Sequence, residues 1–212
     1  MTTLALEFSS AQRSVAVARG GRVLADIAET GARGTNAFGM IENVLAAANI
    51  GRQEIELLAV GLGPGSYTGI RAAIAIAQGW QLARKVKLTG IGSVECLAAQ
   101  AQAEKLFSPL NVVIDAQRGE FYVGTYDVSA AGCEELAPLK IVTAAQVGAL
   151  AEKTLAGPGV TTWFPAGKNL FPSAAMLALL AAGRKDFSLG EKLEPVYLRE
   201  AAFLKLAEQR KK

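Results

Sequence analysis

The sequence contains no histidine among its 212 residues. Histidine is the usual general base beside a nucleophilic serine or cysteine, and it is a common ligand of zinc and iron. The chain therefore cannot use a Ser-His-Asp or Cys-His mechanism or bind a metal through imidazole. Carboxylates alone could hold a metal ion, but the sequence has no dense cluster of Asp and Glu, so we expect no metal site.

The chain is also poor in cysteine and in long apolar runs. Cys96 and Cys133 lie far apart and have no CxxC partner, which is typical of reduced thiols in a cytosolic protein. The N-terminal residues carry no basic leader, and Glu7 interrupts their apolar run, so we expect no signal peptide. No uncharged apolar stretch reaches the roughly 18–20 residues of a membrane span. These features predict a cytoplasmic protein without a membrane segment.

Charge is scarce as well. Only 19% of the residues are charged, 51% are hydrophobic, and the net charge is +3. This balance is typical of a globular protein and not of a disordered one. The basic run at residues 210–212 is interpreted as a solvated tail.

The predicted elements follow one order twice. In the first half, apolar or alternating runs predict strands at 2–10, 14–19, 22–29, 57–62 and 87–91, and helical spacing or caps predict helices at 36–49, about 70–83 and 93–104. In the second half, strands are predicted at 110–115, 120–127, 136–142 and 154–157, with helices opened by the capping box at Thr143 and by Ser173.

This order predicts an α/β protein of two tandem domains, residues 1–106 and 107–212, each a mixed sheet flanked by helices. Each half places a Gly-Pro-Gly turn after a strand, at 63–65 and at 157–159. The arrangement resembles the ribonuclease H-like domains of the actin-like ATPase and sugar-kinase superfold.

The first glycine turn, GLGPGSYTGIR at residues 61–71, is a candidate nucleotide or anion loop. Glycines allow a ligand to approach backbone N–H groups, and the following helix N-terminus favours an anion. The run lacks the Gly-Lys-Ser/Thr of a P-loop and the third glycine of a dinucleotide fingerprint. A phosphate cradle and a tight packed turn both remain open. The candidate loop residues are Gly63, Gly65, Ser66, Thr68 and Gly69.

The helix after this turn is apolar on almost every side. Only Arg71, Gln78 and Gln81 form a narrow polar stripe. Such a helix needs cover on more than one face, either from the core or from a partner. Both interpretations remain open, and the candidate partner-facing residues on this helix and the preceding one are Phe38, Ile41, Leu45, Ala72, Ile76, Gly79 and Trp80.

Four segments resemble the TsaB family. GLGPGSYTGIRAAIAIAQG resembles its glycine signature and small-residue helix, and ALEFSS resembles its first strand. VIDAQRGEFYVGTYD and EPVYLRE resemble the start of its second domain and its closing segment. The match runs from residue 4 to residue 199. The chain departs from the family pattern at Glu7 and Phe8, where Asp-Thr is common, at residues 34–36, and at Gln117.

The resemblance implies a non-catalytic scaffold in the making of threonylcarbamoyladenosine in tRNA. It implies a TsaD-like transferase as partner, a homodimer through the same surface in isolation, and a TsaE-like ATPase in the assembly. It implies no intrinsic cofactor, with ATP or ADP at the complex interface as an open question, and only indirect contact with tRNA. TsaD binds its metal partly through histidines, which this chain lacks. Although relatives are often labelled peptidases, Ser66 has no visible base, so we expect no peptidase activity and no catalytic residue.

Two other functions remain open. An actin-like small-molecule kinase or ATPase would use the turns at 61–69 and 157–159 for phosphates, with Glu7 and Asp115 near the metal or the reacting group. The chain could also be a homodimeric relative that has left the tRNA pathway.

Overall fold

The structure is a computed structural model that describes residues 1–31, 36–150 and 153–198. The departure from the family pattern at Gly34 and Thr35 and the basic residues 210–212 lie outside the described residues. None of the helices in the described ranges combines the length and the hydropathy that a bilayer crossing requires.

The first half forms a five-stranded sheet in the order β3-β2-β1-β4-β5. The strands β1, β2 and β3 pair antiparallel, whereas β4 pairs parallel with both β1 and β5. The strands are β1 (Thr2–Glu7), β2 (Gln12–Arg19), β3 (Arg22–Thr30), β4 (Leu57–Gly61) and β5 (Lys87–Ile91). The helices of this half are α1 (Ala37–Ala48), α2 (Tyr67–Arg84) and α3 (Ser93–Ala103).

The second half repeats this topology in the order β10-β9-β6-β7-β8. Here β6, β7 and β8 pair antiparallel, and β9 pairs parallel with β6 and β10. The strands are β6 (Ser108–Asp115), β7 (Glu120–Ser129), β8 (Gly132–Thr143), β9 (Thr154–Gly157) and β10 (Lys168–Asn169), and the helices are α4 (Ala144–Gly148) and α5 (Ala174–Ala182). Two mixed sheets of one topology confirm the tandem ribonuclease H-like arrangement.

The first sheet has two different faces. Leu4, Leu6 and Phe8 point to the face that α1 and α2 cover. Ala5 and Ala16 point to the opposite face, where small side chains let α5 pack closely. A strand that is buried on both faces reads as a continuous apolar run and not as an alternating one, which explains the composition of β1.

One helix of each half packs on the sheet of the other half. Val94, Leu97 and Ala101 of α3, a helix of the first half, pack on the second sheet. Leu177 and Ala178 of α5, a helix of the second half, pack on the first sheet. The two halves therefore share their hydrophobic packing. A domain boundary between residues 106 and 107 stays a prediction.

Two predicted helix starts are wrong. The helix expected from about residue 70 begins at Tyr67, because the Ser66 hydroxyl caps it by accepting a hydrogen bond from the Gly69 N–H at 3.3 Å. Ser93 is the first residue of α3 and not its cap, because Gly92 takes the cap position and the Ser93 hydroxyl donates to Ser9 Oγ at 2.8 Å. The predicted caps of α4 and α5, Thr143 and Ser173, are confirmed.

Candidate functional site

The glycine turn after β4 packs directly on the end of β1. A Cβ atom at Gly65 would collide with the Ser9 carbonyl oxygen, and one at Gly69 would collide with the carbonyl oxygen of Phe8. Gly63 and Gly65 also adopt positive φ values of +86° and +151°, which favour glycine. The glycines are therefore explained by packing within the chain, and Thr68 and Gly69 belong to the first turn of α2.

Hydrogen bonds within the chain occupy polar groups of this turn. The Ser66 N–H donates to the Ser9 carbonyl at 2.6 Å, and the Ser93 N–H donates to the Gly63 carbonyl at 2.7 Å. A phosphate at this turn would compete with the Ser9 carbonyl for the Ser66 N–H. Nucleotide or anion binding by these residues stays a prediction.

Turns of both halves meet in a cleft of about 700 Å³. Its lining includes Pro64 and Ser66 from the first Gly-Pro-Gly turn, and Pro158 and Gly159 from the second. The two turns of the sequence repeat thus line one cleft. A kinase or ATPase would need a carboxylate that is free to act in this cleft.

The two predicted carboxylates differ in their access to this cleft. Asp115 lines the cleft, but its Oδ1 accepts the Gln117 N–H at 2.7 Å and its Oδ2 accepts the Gln117 side-chain amide at 3.1 Å. Glu7 is fully buried, and its Oε1 accepts the Ser9 N–H at 2.7 Å. Within the described part of the chain, no group of three or more Cys, Asp or Glu side chains could hold a metal ion together.

The environment of Glu7 is unusual for a carboxyl group. Burial raises its pKa to about 7, and the hydrogen bonds from Ser9 oppose that rise only in part. Its Oε2 has no hydrogen-bond partner among the described residues. Burial, together with the nearby charge of Glu7, raises the pKa of the Cys96 thiol well above its usual value. Glu7 and Phe8 are both fully buried, and Glu7 lies behind Ser9, which lines the cleft.

The predicted partner-facing residues fall into two groups. Phe38 and Gly79 are exposed, and Ala72, Ile76 and Trp80 are half-buried on the same side of the molecule. Ile41 and Leu45 are buried, with 1% and 4% of their surface exposed, because α1 turns its apolar stripe onto the first sheet. Leu45 therefore supports the surface from below, whereas Ile41 also lines the groove between α1 and α2.

Sequence reasoning missed part of this surface. Leu82 is 87% exposed, three residues after Gly79 on one helical face. A groove of about 410 Å³ lies between α1 and α2 and is lined by Phe38, Ile41, Glu42, Arg52, Trp80, Ala83 and Arg84. We call the exposed faces of the two helices with this groove the α1–α2 surface. The spacing of Gly79, Leu82 and Ala83 could have identified it.

The polar flank of α2 is covered by the chain itself. Residues 188–197, the C-terminal strap, run along it. The Gln78 side-chain amide donates to the Gly190 carbonyl at 2.9 Å, and the Gly190 N–H donates to Gln81 Oε1 at 2.7 Å. The Arg71 guanidinium lies 3.6 Å from the Tyr67 ring centroid and 5.5 Å from that of Tyr197. Among the described residues, the strap and the sheet leave the small-residue flank of α2 and the groove uncovered.

Comparisons with known proteins identify the family. A family model described as TsaD, tRNA N6-adenosine threonylcarbamoyltransferase, matches residues 32–201. The tRNA threonylcarbamoyladenosine biosynthesis protein TsaB of Escherichia coli is 30% identical over 181 residues, covering 76% of this chain and 78% of that protein. TsaB of Bacillus subtilis is 28% identical over 141 residues, covering 65% and 60%.

A solved structure from the same family has the same fold as this chain. The solved structure of YeaZ from Pseudomonas aeruginosa superimposes with a TM-score of 0.80 at 27% identity. The superposition covers 93% of this chain and 99% of that one. The chain belongs to the TsaB (YeaZ) family.

Proposed function

We propose that the chain is a non-catalytic subunit that binds a TsaD-type transferase and supports it in making threonylcarbamoyladenosine in tRNA. The observation that carries this proposal is the apolar α1–α2 surface, which the rest of the described chain leaves uncovered. The printed names of the TsaB relatives support the pathway.

The exposure of this surface is costly for an isolated chain. Phe38 of α1 is 72% exposed, Leu82 of α2 is 87% exposed, and Ile76 and Trp80 of α2 are half-buried. Contiguous apolar patches on soluble proteins usually mark interaction sites. The patch lies on two regular helices, which offer a firm support for a partner.

Gly79 supports close packing of a partner helix. It lies inside α2, and a Cβ atom there would meet nothing within 4 Å. Glycine in a helix interior costs about 1 kcal/mol relative to alanine, so the packing of this chain alone gives no reason for it. The close approach of a second helix would give that reason.

The cleft supports a non-catalytic role. The Ser66 hydroxyl caps α2, both oxygens of Asp115 accept hydrogen bonds from Gln117, and Glu7 is fully buried. No observation here favours the kinase or ATPase function over the role of a binding subunit.

Further partners belong to the same proposal. A TsaE-like ATPase joins the complex, with ATP or ADP at an interface of the assembly. In isolation the chain pairs with a second copy through the α1–α2 surface. It reaches tRNA through the transferase and works in the cytoplasm.

The test compares two arginine substitutions at exposed helical glycines. Gly79→Arg places a long charged side chain on the α1–α2 surface. Gly148→Arg places the same side chain at the end of α4, where a Cβ atom also meets nothing within 4 Å. Complex formation with the TsaD-type protein of the same organism is measured by analytical ultracentrifugation, and folding by circular dichroism.

We expect the wild type and Gly148→Arg to form the complex and the folded Gly79→Arg variant to lose it. Full affinity in Gly79→Arg would show that the partner binds elsewhere. A wild-type chain that does not bind the TsaD-type protein would contradict the proposed function itself.

A further inference from the structure

The carboxyl group of Glu7 is buried at the end of β1 with only one of its oxygens bonded. Its Oε1 accepts the Ser9 N–H at 2.7 Å, whereas Oε2 has no partner among the described residues. A Cβ atom at Gly61, on the neighbouring strand β4, would collide with Oε2. The φ of Gly61 is not positive, so the carboxyl group, and not a turn, accounts for glycine at this position. The fold therefore makes room for a carboxyl group and satisfies it only in part.

Ser9 joins this carboxyl group to the starts of two helices. Its N–H donates to Glu7, its carbonyl accepts the Ser66 N–H at 2.6 Å, and its hydroxyl accepts from the Ser93 hydroxyl at 2.8 Å. Ser66 caps α2, and Ser93 is the first residue of α3. The packing is close, because a Cβ atom at Gly65 would collide with the Ser9 carbonyl oxygen. A movement of Ser9 is therefore transmitted to the start of α2.

The groups that surround Glu7 supply no counter-ion. Its neighbour on β2 is Ser14, and α5 places the N–H of its first residue on the Ser14 hydroxyl. On α3, burial and the charge of Glu7 raise the pKa of the Cys96 thiol well above its usual value, so the thiol stays neutral. Glu95 of α3 is paired with Arg184. Among the described residues no ion pair involves Glu7, so its ionised form holds an unpaired charge.

Loss of the proton changes what this site requires. The neutral carboxyl group leaves one polar atom without a partner, whereas the ionised group leaves a buried charge without one, which is far more costly. Burial raises the pKa of Glu7 to about 7, so both forms are populated near neutral pH. Glu7 lies behind Ser9, which lines the cleft. Displacement of Ser9 would admit water from the cleft to the ionised carboxylate.

We propose that Glu7 is a positioning residue whose proton holds the start of α2 in place. With the proton bound, Ser9 stays bonded to Ser66. When the proton leaves, Ser9 shifts towards the cleft and the Ser66 end of α2 loosens. The α1–α2 surface, which α2 helps to form, then binds its partner less tightly. This last step rests on the proposed function, because it names a regulation of the same surface.

Hydrogen exchange of the chain alone tests the first step. The Ser66 amide should lose protection about fivefold or more between pH 6 and pH 8, after correction for the intrinsic rate, because its hydrogen bond to Ser9 weakens. The Lys85 amide, which donates to the Gln81 carbonyl at the other end of α2, should keep its protection. An equal loss at both amides would show general destabilisation, and unchanged protection at Ser66 would show no switch. Either result overturns the proposal.

Calorimetry with the TsaD-type protein tests the second step. The dissociation constant of the wild type should rise about fivefold or more from pH 6 to pH 8. Glu7→Gln cannot ionise, so its dissociation constant should change only as far as groups of the partner titrate. Glu134→Gln, the same substitution at an exposed position, should follow the wild type. Circular dichroism checks folding, and if Glu7→Gln does not fold, the comparison of Ser66 with Lys85 in the wild type still decides.

The outcomes separate the two proposals. A wild type that does not bind the TsaD-type protein at either pH contradicts the proposed function and the binding step of this inference together. If the wild type binds and its affinity changes with pH as that of Glu7→Gln does, only this inference is overturned.

Discussion

The buried carboxyl group of Glu7 should make the stability of the protein depend on pH. Its pKa is raised from 4.5 to about 7 by burial. In the unfolded chain the group loses its proton near pH 4.5, whereas in the folded chain it keeps the proton until about pH 7. Between these values the folded state binds more protons, so the free energy of unfolding falls as pH rises.

The size of the effect follows from the two pKa values. A difference of about 2.5, at about 1.4 kcal/mol for each unit of pKa, corresponds to a loss of about 3 kcal/mol. The loss begins near pH 4.5 and is complete somewhat above pH 7. Since small domains are stable by only about 5–15 kcal/mol, a change of this size is easily measured.

The substitution Glu7→Gln tests this prediction. Glutamine has nearly the same shape, keeps an oxygen acceptor for the Ser9 N–H, and cannot ionise. Urea denaturation is measured from pH 5 to pH 9 for both proteins, with the exposed substitution Glu134→Gln as control. The readout is the change in the free energy of unfolding with pH, because the buried amide also changes the absolute stability at every pH.

We expect the stability of the wild type to fall by about 2.5 kcal/mol relative to Glu7→Gln between pH 5 and pH 9, because part of the loss occurs below pH 5. The control should follow the wild type. Parallel pH profiles for the wild type and Glu7→Gln would refute the reasoning, since they would mean that Glu7 ionises at the same pH in the folded and unfolded states.

Two further predictions concern α2 and its surroundings. Gly69→Ala should lower the free energy of unfolding by about 2 kcal/mol or more, because its Cβ atom would meet the Phe8 carbonyl oxygen. Gly79→Ala should raise the free energy of unfolding by about 1 kcal/mol, because its Cβ atom meets nothing within 4 Å. Urea denaturation measures both changes, and equal effects of the two substitutions would contradict the packing described. Gln81→Ala should speed hydrogen exchange at the Gly190 amide, which donates to Gln81, and unchanged exchange would show that this bond does not hold the strap.

Much of the fold could be predicted from local sequence patterns. Alternation in β2 and β3 around Gly20-Gly21 predicted the first hairpin, and the repeat of the element order predicted two sheets of one topology. These features depend on neighbouring residues, so a single sequence contains them.

Features that depend on distant contacts could not be predicted. The α2 helix is apolar on almost every side, so its pattern does not show which face meets the sheet. The answer depends on Gln78 and Gln81, whose partners in the strap lie more than a hundred residues away. The exchange of α3 and α5 between the halves likewise depends on the complete tertiary structure. The burial of Ile41 and Leu45 was missed for the same reason.

The central claim is that the chain acts through the α1–α2 surface and not through chemistry in its cleft. The most direct test is a reconstituted reaction in which the TsaD-type and TsaE-like proteins of the same organism modify tRNA, with threonylcarbamoyladenosine measured by mass spectrometry. Wild type, Gly79→Arg and the cleft variant Asp115→Asn are added in turn. We predict full stimulation by the wild type and by Asp115→Asn, and none by Gly79→Arg. Loss of product with Asp115→Asn and normal product with Gly79→Arg would contradict the account.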